Sequence, residues 1–128
     1  MNRITNISVA LLALMLVVTL ALPFATVANA ADEATRDMAR IVADLNHRPS
    51  ADAKEKLREI SKTGTPAEKT IADALISMNH KVSPDAKEKL GKIAHDSSVA
   101  ADTRELATIV KDIHHHATAA EKQKLRGM

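Results

Sequence analysis

The sequence predicts an all-α protein: three antiparallel helix pairs, six helices in all, packed as a short helical repeat or a compact bundle behind a signal peptide. Three observations predict it. Apolar residues recur with a helical period and never with the alternation of a strand. The pattern repeats along the chain at intervals of 33 and 35 residues, and cap residues punctuate each unit.

The first element is a targeting segment. Met1-Asn2-Arg3 carries one positive charge, an apolar run extends from Val9 to Leu22, and Pro23 leads to Ala28-Asn29-Ala30. Small residues around Asn29 suit signal peptidase, so the predicted cut follows Ala30 and the predicted compartment is periplasmic or secreted. The run stops short of the roughly 20 residues a membrane-spanning helix needs. Residues 31–128 then form one small domain of three units, about 32–64, 65–97 and 98–128, with no membrane contact after cleavage.

Each unit opens with a long helix. Met38, Ile41, Val42 and Leu45 make one apolar stripe; Ile71, Ala74, Leu75 and Met78 repeat it, and Leu106, Ile109, Val110 and Ile113 repeat it again. The stripes end in Asn46-His47, Asn79-His80 and His114-His115. Ser50, Ser83 and Thr118 follow as N-caps of shorter helices, two of which share the pentapeptide Ala-Lys-Glu-Lys-Leu. Their inward positions are Ala53, Leu57 and Ile60, then Ala86, Leu90 and Ile93, then Leu125 and Met128. Thr65-Pro66-Ala67-Glu68 and Thr118 with Glu121 read as capping boxes. Gly64 suits a left-handed helix end, whereas Gly91 falls inside a helix at a cost of about 1 kcal/mol relative to Ala. The predicted helices cover 32–47, 51–63, 66–80, 84–95, 99–116 and 119–126. In period and stripe the pattern resembles HEAT-type and other helical-hairpin repeats, without their diagnostic motifs.

Composition narrows function mostly by exclusion. Cleavage removes Arg3 alone among the charged residues, leaving 17 basic against 16 acidic, a net charge of +1. Signs alternate along the chain, so no basic stripe suits a nucleic acid. The one Phe, Phe24, lies in the targeting segment, and Tyr and Trp are absent. The mature chain therefore has none of these rings to stack on bases or to cage an organic cation. With no Cys there is no disulfide, no thiolate metal site and no covalent haem attachment. No nucleophile elbow or phosphate loop is present, and the carboxylates sit at helix spacing among Lys and Arg, so no enzyme activity is expected. Met38 with a late His could mimic haem ligation, but its equivalents are Ile71 and Leu106, which makes it a core residue. No cofactor is expected.

Two functions fit what remains. The interior is sparse, about 20 large apolar side chains, so surface buried against a protein partner or a second copy would help it. That reading is an exported interaction or scaffold module. The alternative is a histidine-dependent site for divalent Ni, Cu or Zn, because neutral imidazole is a good ligand for these ions. Asp112 and His116, four apart on one predicted helix face, with His114 nearby, are the candidate metal ligands. His47, His80 and His115 hold equivalent places in the three units and could line one edge, but in a linear stack they would lie about 10 Å apart, so sharing an ion would require the stack to bend. Capping of helix C-termini is the competing role for all these histidines.

Overall fold

The computed structural model describes residues 24–128, with side chains from Glu33 onward; the predicted apolar core of the targeting segment lies outside the described residues. Among the described residues there are six helices and no strand: α1 Phe24–Ala43, α2 Ala51–Thr63, α3 Pro66–Ser77, α4 Pro84–His95, α5 Ala101–Asp112 and α6 Ala119–Arg126. None is long and apolar enough to cross a membrane.

The caps stand where the hydroxyls predict them. Ser50, Thr65, Ser83 and Thr118 each accept from the backbone N–H three residues on, and Glu68 and Glu121 complete reciprocal capping boxes. α5 is the exception, beginning after Ala100 with no side-chain cap. Just before it, Asp96 accepts from the Ser98 hydroxyl and N–H, which holds its carboxyl below the usual carboxylate range. Gly64 is extended (φ −68°, ψ 174°), not left-handed as the sequence suggests. A side chain there would meet the Ile60 carbonyl at 2.8 Å and Glu68 Cβ at 3.1 Å, so close approach, not positive φ, requires glycine.

The helices pair differently from the predicted order. Each short helix packs mainly on the long helix of the following unit, α2 on α3 and α4 on α5. The last short helix, α6, returns to pack on α1, where Arg36 Nε donates to the Met128 carbonyl (3.2 Å). α1, α3 and α5 also touch one another at the centre. The chain is thus a closed ring of three units about an approximate three-fold axis. The arrangement is closed, not an open stack, and it buries the three stripes except for Ile41, which is half-buried.

Layers along that axis follow the repeat. Met38, Ile71 and Leu106 are fully buried, as are Val42, Leu75 and Val110; Leu45, Met78 and Ile113 form the next layer. Ala39, Ala72 and Ala107 let the three central helices approach. Beyond the first layer sit Thr35, Glu68 and Thr103, again equivalent and all buried. The Thr35 hydroxyl lies within hydrogen-bond reach of Glu68 Oε1 (3.1 Å) and of the Thr103 hydroxyl (2.9 Å), while Thr65 donates its N–H and hydroxyl to Oε2. One end of the axis is therefore a satisfied polar layer.

A histidine cluster at the pole of the ring as the candidate functional site

The long helices stop three or four residues earlier than predicted, at Ala43, Ser77 and Asp112. The apolar stripe continues through Leu45, Met78 and Ile113, but these reach the core from the connecting turns. His47, His80 and His115 come next, at φ 71°, 72° and 69°. Positive φ is uncommon outside glycine because Cβ crowds the backbone. At His115 the turn is closed by the His116 N–H donating to the His114 carbonyl (2.9 Å), a three-residue γ-turn of the rare, strained hand. The same pairing of flanking residues, Asn46 with Arg48 and Asn79 with Lys81, surrounds the other two.

These turns carry the three backbones onto the axis, where they bond to one another. The His47 N–H donates to the His115 carbonyl (2.8 Å) and the His115 N–H to the His80 carbonyl (2.9 Å). The rings form a nearly equilateral triangle, with centroids 5.5, 5.6 and 5.8 Å apart, packed edge to face and exposed to solvent. The sequence-based expectation of separated histidines is corrected here. Ring closure, with the turns pointing inward, roughly halves the spacing of a linear stack.

The triangle has the dimensions of a three-imidazole metal site. An imidazole nitrogen binds zinc at about 2.0–2.1 Å, which puts each ring centroid about 3.2 Å from the ion and the centroids roughly 5.2–5.6 Å apart. Among the described residues no three His, Asp or Glu side chains already converge on one point, so the rings would have to turn to share an ion. Their setting permits it. His47 Nδ1 donates to Asn46 Oδ1 (3.0 Å), and among the described residues the rings of His80 and His115 make no hydrogen bond that would resist rotation. Where Nδ1 carries the proton, Nε2 is the free donor. Arg48 and Lys81 directly follow His47 and His80 in the chain, and Lys81 lines a cleft with His80, His114 and His115.

The candidate residues named from sequence are placed differently. Asp112 is the last residue of α5, exposed, with its carboxylate 3.8 Å from Lys111 Nζ. His114 and His116 lie beyond the helix, so the predicted four-residue helical relation between Asp112 and His116 does not exist. His114 instead pairs by backbone with Lys81 of the neighbouring unit and lines a cleft of about 470 Å³ with Asn79, His80, Lys81 and His115. His95 does cap its helix: Nδ1 lies 2.7 Å from the Gly91 carbonyl. Sequence reasoning identified the equivalence of His47, His80 and His115 but not their convergence; a histidine at the same place after each stripe, preceded by Asn46, Asn79 and His114, was the signal.

No family model matches the chain, and no curated protein or solved structure is significantly similar to it.

Proposed function

We propose that this is an exported divalent-metal-binding protein, holding Zn, Ni or Cu between His47, His80 and His115. The observation that supports the reading is a strained backbone turn, repeated three times, each time with histidine where glycine is sterically easier. A turn needed only for direction would be served better by glycine. Retaining imidazole at all three positions points to the side chain, and borderline nitrogen donors match these ions. Of the ligands expected from sequence, Asp112, His114 and His116, only His114 shares a cleft with members of this triangle. Calorimetric titration tests the reading. One ion per chain at micromolar affinity or better is expected, with at least tenfold loss in each of His47→Ala, His80→Ala and His115→Ala and none in His95→Ala. Equal affinity in the triad variants would overturn it.

A second reading, an interaction or scaffold module, has one observation in its favour. A cleft of about 510 Å³ between the start of α3 and the α4–α5 connection is walled by Pro66, Ile93 and Val99. A protein partner or a second copy would have to fill it. A strictly monomeric species that captures no partner from an envelope extract argues against this reading and leaves the first intact.

A further inference from the structure

The three units differ at one place beside the triangle. The residue before each triad histidine is Asn46 in the first unit, Asn79 in the second and His114 in the third. Asn46 shows what asparagine does there: its Oδ1 accepts from His47 Nδ1 at 3.0 Å, orienting the ring from behind. Histidine in the third unit replaces an orienting group with a second imidazole. Its backbone is held, because His114 pairs with Lys81 across the seam between units and its carbonyl accepts from the His116 N–H. The cleft it lines is shared with His80 and His115, two members of the triangle. His47, the third member, lies with its ring centroid 5.8 Å from that of His80 and 5.5 Å from that of His115.

Resting on the three-histidine reading, we propose that His114 is the fourth ligand, so that the pole holds its ion with four imidazoles. Three imidazoles alone leave a coordination position to water, as in catalytic zinc sites, whereas four protein ligands close a tetrahedral site or fill the plane preferred by Cu(II). The third unit would thus turn a symmetric, open site into an asymmetric, closed one. Lys81 is in the same cleft and repels a cation. The fourth nitrogen offsets that repulsion, and Lys81→Gln should tighten binding.

The substitution His114→Asn tests this by installing the residue the other two units carry. The purified protein is loaded with one equivalent of Cu(II), and the nitrogen hyperfine pattern is read by electron paramagnetic resonance beside a competitive titration with a chelator. Four equatorial nitrogens are expected in the parent protein and three in His114→Asn, with affinity at least tenfold lower and an unchanged helical circular dichroism spectrum. His116→Asn should retain four. Three nitrogens in both the parent and His114→Asn, at equal affinity, overturn the role of His114 and leave the triangle standing. No bound Cu(II) in the parent overturns both.

Discussion

Holding a bulky residue at φ near +70° costs on the order of 1 kcal/mol relative to glycine, and this chain does so at His47, His80 and His115. Replacing one of them with glycine removes the steric conflict and the imidazole together. His80→Gly should therefore raise unfolding stability in urea by about 1 kcal/mol while lowering metal affinity at least tenfold. A variant that is less stable than the parent would show that the ring contacts, not the ligand role, hold histidine there. The equivalence of the three histidines was legible in the sequence. The positive φ was not, because a histidine just past an apolar stripe, followed by Arg48, Lys81 or His116, reads equally well as a helix end carrying a favourable charge. His95, bonded to the Gly91 carbonyl, is the residue for which that capping account holds.

At the level of elements, the short helices follow the sequence closely: α2, α4 and α6 span the predicted residues, each opened by a hydroxyl cap. The long helices do not end where their stripes end. Leu45, Met78 and Ile113 are buried from turns, and periodicity cannot distinguish a buried turn residue from one more helical position. Two substitutions test the local energetics. Ala100 caps α5 without a side-chain bond, so Ala100→Ser should add about 1 kcal/mol of stability. Among the described residues the only contact awaiting a side chain at Gly91 is Lys111 Cδ at 4.0 Å, so Gly91→Ala should add a similar amount, whereas Gly64→Ala should destabilise. Thermal unfolding checks all three. A destabilising Gly91→Ala would mean that α4 and α5 pack more closely than the structure shows.

Over the whole molecule, the decisive event is closure. An apolar stripe says which face of a helix is buried but not which neighbour buries it, so Leu57 and Ile60 of α2 could have served α1 as well as α3. The two-residue link at Gly64-Thr65 and its tight approach select α3, and the same offset carried round the ring brings α6 onto α1. Closure puts Glu68 and two threonines at one end of the axis and three imidazoles at the other. It also buries the three stripes within one chain, Ile41 alone among their residues staying half-buried. Nothing in a linear reading of periods fixes that geometry, which is why the equivalence of the three histidines was legible, their convergence was not, and the ligands named from sequence were Asp112, His114 and His116. The most direct test follows the imidazole nitrogens of the histidines by long-range proton–nitrogen NMR during a zinc titration. The ring nitrogens of His47, His80 and His115 should shift together and saturate at one equivalent, with His95 unmoved. Shifts confined to His114 and His116, or none at any of the three, would contradict the account.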